Sequence, residues 1–90
     1  MRASWRSTID TYSHTFFYMS RDVQKLFALR LKAIREERKL SQLELALLCD
    51  LDRTYIGRIE TLQRNPSLVV LEKIANGLEI ELHELLNFSE

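Results

Sequence analysis

The sequence predicts an all-α fold, a compact domain of five short helices, and three observations support this prediction. The 90 residues include two glycines and one proline, so few positions would interrupt a helix. Apolar residues recur at helical spacing, as at Phe27, Leu31 and Ile34. Capping residues precede several such segments, and the connections between the segments are short. Helices joined in this way form a single compact domain.

The first twenty residues differ from the rest, and we interpret residues 1–20 as an N-terminal extension to a domain of residues 21–88. This extension is rich in Ser, Thr and aromatic residues and lacks the apolar stretch of a secretory signal. One hypothesis is that Met19 is an alternative or the true start and that residues 1–18 are a poorly ordered extension. The alternative is an added helix that packs through its aromatic residues, Trp5, Tyr12, Phe16, Phe17 and Tyr18.

The first three helices each have a local start signal. Helix 1 is predicted over about residues 21–38, where the first apolar stripe lies. Ser41 and Glu44 have the spacing of a capping box, which begins helix 2 at Gln42. Asp52 is expected to cap helix 3.

Two further helices follow a stop signal at Asn65-Pro66-Ser67. Ser67 is the predicted cap of helix 4, which should end near Leu78. A short helix 5 then contains three leucines, Leu82, Leu85 and Leu86.

Composition excludes several classes of protein. The single cysteine, Cys49, excludes an internal disulfide and a Cys-based zinc finger, and we expect it to be a small core residue. No apolar run approaches the roughly 18 residues of a membrane-spanning helix. The sequence indicates no metal site, cofactor, small-molecule ligand or membrane partner. It offers no nucleophile–base pair or carboxylate dyad, so we do not expect an enzyme.

The charges are unevenly distributed, although thirteen Lys and Arg balance thirteen Asp and Glu. Residues 21–64 hold ten basic and seven acidic side chains, net +3, whereas residues 65–90 hold one Lys and five Glu, net −4. Such polarity is typical of a domain with one face toward an anion. Four basic residues of the centre either attract phosphates or pair with Glu on their own helix: Lys25, Arg35, Arg38 and Lys39.

The stretch from Leu40 to Ile59 predicts a helix-turn-helix. Only Asp50-Leu51-Asp52 separates helices 2 and 3, and so short a link imposes a fixed angle between them. Ala46 must be small where the helices cross, and Leu51 should fill the corner. The outer side of helix 3 then carries residues suited to a DNA major groove: Arg53, Thr54, Tyr55, Gly57 and Arg58.

At these positions the segment SQLELALLCDLDRTYIGRIE resembles the Cro and phage-repressor-like family, also called the Xre family. The resemblance extends over about residues 27–86. Within the family, the segments LDRTYI, IE and Arg64-Asn65 are most similar to those of the controller proteins of restriction–modification systems. It implies a cytoplasmic transcription regulator that binds a near-palindromic operator as a dimer. The alternative is an antitoxin or another repressor of this family, with residues 1–20 as its candidate segment for protein contacts.

The resemblance also implies roles for individual residues. Gln42 would contact a phosphate at the start of helix 2. Arg53, Thr54 and Gly57 match base-facing positions. The remaining matched positions reach the DNA backbone or adjacent bases: Tyr55, Arg58, Arg64 and Asn65.

Two features depart from the family pattern. Asp50 stands where the turn usually has Gly, and Asp can adopt the positive φ that this turn needs. Three leucines stand at positions of helix 2 that are often polar, and we expect some of them to be exposed or covered by the extension: Leu43, Leu47 and Leu48.

Apolar residues near the C-terminus exceed what so small a core can bury, and we expect them to form a dimer interface. These residues are Ile80, Leu82, Leu86 and Phe88. Leu82 and Leu85 are also expected to close the core of their own chain.

Overall fold

The computed structural model describes the backbone of residues 13–88 and the side chains of residues 23–88. Within these residues the chain forms five helices and no strand, which confirms the predicted all-α fold. In chain order the helices are α1 (Ser13–Glu37), α2 (Gln42–Leu48), α3 (Tyr55–Glu60), α4 (Leu68–Leu78) and α5 (Leu82–Leu85). None of the described helices is both long and apolar enough to cross a bilayer.

Helix α1 begins earlier than its apolar stripe predicts. Its 25 residues start at Ser13, eight positions before the predicted start, and no Gly or Pro lies between Ser13 and Glu37 to interrupt it. The helix therefore crosses the predicted boundary at residue 20. The expectation for residues 1–12, and the expected packing of Phe16, Phe17 and Tyr18, lie outside the residues and side chains that the structure describes.

The core lies where α1, α2, α3, α4 and α5 meet. The predicted stripe on α1 is buried, as are Ala46 and Cys49 on α2. The side chains that are almost completely shielded from solvent are Leu31, Leu45, Ile56, Ile59, Ile74, Leu78 and Leu85. Cys49 is thus the small core residue that was expected.

Side-chain caps start α2 and α4 as predicted. The Ser41 hydroxyl accepts a hydrogen bond from the Glu44 backbone N–H at 3.0 Å, and the Glu44 carboxylate accepts one from the Ser41 N–H at 2.8 Å. The Ser67 hydroxyl accepts from the Val70 N–H at 3.2 Å. Each cap satisfies amides that the first helical turn leaves without partners.

Four helix ends share one backbone arrangement. A residue other than glycine adopts a left-handed conformation one or two positions after the end of α1, α2, α3 and α4, namely Lys39 (φ 58), Asp50 (φ 57), Leu62 (φ 65) and Glu79 (φ 58). After α3, for example, the Gln63 N–H reaches back to the Arg58 carbonyl at 2.8 Å. This pairing completes the C-terminal hydrogen bonds of the helix and turns the chain sharply.

Gly77 allows α4 to approach the end of α2. A Cβ at this position would stand 2.6 Å from Cys49 Sγ and 3.1 Å from both the Cys49 Cα and the Leu48 carbonyl oxygen. A larger residue would therefore separate the two helices. This close contact fixes α2, and with it the helix-turn-helix, on the rest of the domain.

Candidate nucleic-acid interface

The turn between α2 and α3 is held by its own backbone. Asp50 has φ 57, and the Leu51 N–H donates to the Ala46 carbonyl at 2.8 Å. Leu51 packs against the core and Ala46 is completely buried. The expectations for all three residues are confirmed, and the angle between α2 and α3 follows from them.

Helix α3 begins two residues later than predicted. Its N-cap is Thr54 rather than the predicted Asp52, and the Thr54 side chain makes no cap hydrogen bond. Asp52 instead accepts hydrogen bonds from the Thr54 hydroxyl at 2.6 Å and the Thr54 N–H at 3.2 Å. This local turn competes with the first turn of the helix, so Arg53 and Thr54 lie just ahead of α3.

The carboxylate of Asp52 is stabilised by this turn. The hydrogen bond from the Thr54 hydroxyl is the main cause that lowers the pKa of Asp52, followed by the Thr54 N–H and by the positive charges of Arg58 and Arg53. Asp52 therefore remains ionised over a wider range of acid pH than an ordinary aspartate. It orients Thr54 and offsets part of the positive charge beside it.

Burial in α3 and in the two residues ahead of it follows the predicted division in part. Ile56 and Ile59 are buried, and Arg53, Thr54 and Arg58 are exposed on the other side. Two further residues predicted to contact DNA, Tyr55 and Gly57, are half-buried.

Gln42 lies across Gly57. The Gln42 amide nitrogen donates to Glu60 Oε1 at 2.9 Å, and a Cβ on Gly57 would stand only 2.9 Å from the Gln42 amide oxygen. The absence of a side chain at residue 57 thus makes room for a side chain of α2. Within the chain, it is the Gln42 amide that closely approaches this glycine.

Glu60 of α3 connects this helix to α1 and α2 through its carboxylate. Its carboxylate accepts hydrogen bonds from Arg35 Nε at 2.7 Å and Arg35 Nη2 at 3.0 Å, in addition to the bond from Gln42. Arg35 Nη1 also donates to the Leu40 carbonyl at 2.9 Å. The two side chains of the ion pair are 11% and 4% exposed, and the hydrogen bond with Glu60 raises the pKa of Arg35.

Arg35 therefore has neither role that the sequence suggested for it. It does not attract phosphates from the surface, and its carboxylate partner is on α3 rather than on its own helix. Arg38 donates to the Leu78 carbonyl, whereas Lys25 and Lys39 are exposed. The role of Glu60 was missed, although the Ile-Glu pair at the end of α3 marks its position.

Arg64 and Asn65 are exposed in the segment after α3. The Arg64 guanidinium carbon lies 5.1 Å from the centre of the Tyr55 ring, a cation–π geometry. The Arg64 N–H donates to the Arg58 carbonyl at 3.1 Å. These contacts place Arg64 beside the exposed residues of α3.

Comparison with known proteins identifies the family. The helix-turn-helix family profile matches residues 31–85, which span the C-terminal end of α1, from residue 31, and all of α2 through α5. The chain is 49% identical over 67 residues to the control protein C.MunI of Mycoplasma sp, covering 73% of this chain and 90% of that protein. The chain belongs to the helix-turn-helix family of control proteins. The family resemblance inferred from the sequence is thereby confirmed.

Two solved helix-turn-helix structures support this relationship. The restriction–modification controller protein C.AhdI from Aeromonas hydrophila is 48% identical with a TM-score of 0.66, and the match covers 72% of this chain and 93% of that one. The controller protein C.Esp1396I was solved as a tetramer in complex with its natural 35 base-pair operator. It is 37% identical with a TM-score of 0.64 over 71% of this chain and 88% of that one.

Three leucines of α2 are exposed to solvent. Leu43, Leu47 and Leu48 all lie at the surface, and Leu47 is 65% exposed. The sequence predicted that at least some of them would be exposed. They lie on the outer side of α2, away from the buried Leu45 and Ala46.

The four residues predicted for the dimer interface differ in burial. Ile80, Leu86 and Phe88 are partly buried and pack against the core of their own chain. Leu82 is exposed at 36%. Most of the apolar surface of this C-terminal patch is thus already covered within the control-protein domain.

Proposed function

We propose that this chain is the controller protein of a restriction–modification system, a transcription regulator that binds a near-palindromic operator as a dimer. The observation that carries the proposal is the cluster of exposed polar and basic residues around α3, on a domain 49% identical to a control protein. The family is one of DNA-binding regulators rather than enzymes, and we propose no catalytic activity. Because operator DNA is its partner, we place the protein in the cytoplasm.

Arg53, Thr54 and Gly57 are the proposed base-facing residues. The N-terminal end of a recognition helix enters the major groove, and Arg53 and Thr54 lie just ahead of that end. An exposed arginine there can bind a guanine through two hydrogen bonds. Because the Thr54 hydroxyl donates to Asp52, its methyl group and oxygen lone pairs are what it can offer to a base.

Gln42 is the proposed phosphate contact at the start of α2. Its amide nitrogen already donates one hydrogen bond to Glu60, and an amide nitrogen carries a second hydrogen. Glu60 thus sets the direction in which Gln42 can donate to a phosphate. Since Glu60 is bound by Arg35, the position of Gln42 depends on the α1–α3 ion pair.

Tyr55, Arg58, Arg64 and Asn65 are the proposed contacts to the DNA backbone or to adjacent bases. Stacking on Tyr55 restricts the motion of the Arg64 guanidinium, while the edge of that planar group remains suited to a phosphate. Because the guanidinium is already restricted, binding to DNA would cost less side-chain conformational entropy.

Dimerisation through the C-terminal region would place two recognition helices about 34 Å apart, one turn of DNA. The opposite charges of residues 21–64 and residues 65–90 favour this orientation, with the basic part toward DNA. A zero net charge implies weak non-specific attraction, so specific affinity depends on the placed contacts and on the dimer.

Selection from a random duplex library tests the proposal. The full chain is incubated with the library, bound duplexes are amplified over several rounds, and the affinity of the enriched sequence is measured. We expect two inverted half-sites with centres about one helical turn apart. Enrichment of unrelated sequences, or of a site without inverted symmetry, would contradict the proposed operator.

A further inference from the structure

A second apolar stripe runs along α1. Phe16, Met19, Val23 and Leu26 follow one another at alternating spacings of three and four residues on this helix. In the sequence, the same alternation continues upstream through Tyr12, Ile9 and Trp5. Alternating spacings of three and four residues are the pattern of a seam between two coiled helices.

This stripe is separate from the one that enters the core. The core stripe of α1 begins at Phe27 and continues through Leu31 and Ile34, all of them buried. Val23 is 47% exposed and Leu26 is 37% exposed. Within the described side chains, α1 therefore has one apolar face in the core and another that its own chain leaves uncovered.

The exposed stripe is continuous with the C-terminal patch. A groove of about 210 Å³ is lined by Val23 and Phe27 of α1 and by Leu86 and Phe88. A neighbouring groove has Leu26 on one side and Phe88 on the other. Phe88 thus connects the α1 stripe to the residues proposed for the dimer.

The C-terminal patch alone offers little area for a dimer. Ile80, Leu86 and Phe88 are already packed against their own core, which leaves Leu82 as the exposed member. A stable interface usually buries about 800 Å² on each partner. An additional apolar surface is therefore needed, and the α1 stripe adjoins the patch.

We propose that the α1 stripe that contains the exposed Val23 and Leu26 packs against the same stripe of a second copy of this chain. The inference rests on the dimer proposed above and extends its interface onto α1. A second copy supplies a helix with the same spacing, and a two-fold axis brings identical stripes together. The stripe contains no charged residue, so it does not fit a nucleic acid.

Paired substitutions test the seam in the full chain. Val23→Gln with Leu26→Gln should raise the dimer dissociation constant at least tenfold in sedimentation equilibrium. The matched control is Leu47→Gln with Leu48→Gln, which changes two exposed residues of α2 and should leave the constant within about twofold. Glutamine is a good helix former, so circular dichroism and thermal melting should show α1 intact in both variants. An unchanged dimer constant in the α1 variant would overturn the proposal.

Cross-linking locates the contact independently of affinity. In a chain with Cys49→Ala, we expect Leu26→Cys to form a disulfide-linked dimer on mild oxidation and Leu47→Cys to remain monomeric on a denaturing gel. Equal cross-linking of the two would contradict the seam. If operator binding still depends on Arg53 while the α1 variants dimerise normally, the seam fails and the proposed function stands. If operator binding is independent of Arg53, the proposed DNA interface fails whatever the result for α1.

Discussion

Arg35 on α1 and Glu60 on α3 form an ion pair with two hydrogen bonds, of 2.7 Å and 3.0 Å. The same carboxylate accepts the amide of Gln42, the proposed phosphate contact on α2. A nearly buried charge pair thus connects the core to the candidate DNA surface. Arg35, Glu60 and Gln42 therefore contribute both to the packing of the helices and to the position of the candidate DNA contact.

Glu60→Gln should lower the free energy of unfolding by about 3 kcal/mol or more, because it leaves the Arg35 charge nearly buried without a carboxylate partner. Urea denaturation of the full chain measures this change. Glu72→Gln, at an exposed position of α4, makes the same chemical change and should have little effect. A loss below about 1 kcal/mol at Glu60 would show that the pair contributes no more than a surface ion pair.

Leu62→Gly should raise the free energy of unfolding by roughly 0.5–1 kcal/mol. Leu62 has φ 65, a conformation that disfavours residues with a Cβ, and its side chain is exposed. The comparison is Leu47→Gly, where an exposed leucine lies within α2 and glycine should cost about 1 kcal/mol. Destabilisation by both substitutions would contradict the strain assigned to Leu62.

Gly77→Ala should destabilise the domain by about 1–3 kcal/mol, although alanine is normally the better helix former. The added Cβ would meet Cys49 Sγ and two backbone atoms that cannot move independently. Asn76→Ala, at an exposed neighbouring position, should be neutral or slightly stabilising. Adding Cys49→Ala to Gly77→Ala should recover part of the loss, since the sulfur is the nearest atom.

The Cys49 thiol should resist alkylation at neutral pH while the domain is folded. Burial raises its pKa from 9.0 to about 11, so the folded chain retains this proton where the unfolded chain has lost it. Cys49 therefore makes the domain less stable as pH rises from about 9 to about 11. Cys49→Ala should show a smaller loss of stability over this range in denaturant titrations. Rapid alkylation of the native chain would place the thiol outside the core.

Local signals in the sequence predict much of the fold. The Ser41–Glu44 capping box, the Ser67 cap and the end of α4 at Leu78 each depend on residues within one or two turns. The buried stripe of α1 depends only on periodicity. Such features can be read directly because the groups that form them are neighbours in sequence.

Contacts between distant residues could not be predicted in this way. Arg35 and Glu60 are 25 positions apart, and no local pattern indicates that they meet. Asp52 was expected to cap α3 directly, but its bond to the Thr54 hydroxyl delays the helix. The left-handed residues Lys39, Leu62 and Glu79 have no glycine to mark them, and each accompanies a backbone hydrogen bond that closes the end of a helix.

The most direct test of the proposed function compares Arg53→Ala with the unchanged chain on the duplex selected from the random library. Fluorescence anisotropy should show specific binding weakened by about 1–3 kcal/mol, and a repeated selection should lose its preference at one base in each half-site. Gln42→Ala should weaken selected and scrambled duplexes more evenly. Lys73→Ala removes the same charge from α4, outside the candidate interface, and should leave both affinities nearly unchanged. Unaltered affinity and base preference in Arg53→Ala would contradict the assignment of the DNA-reading surface.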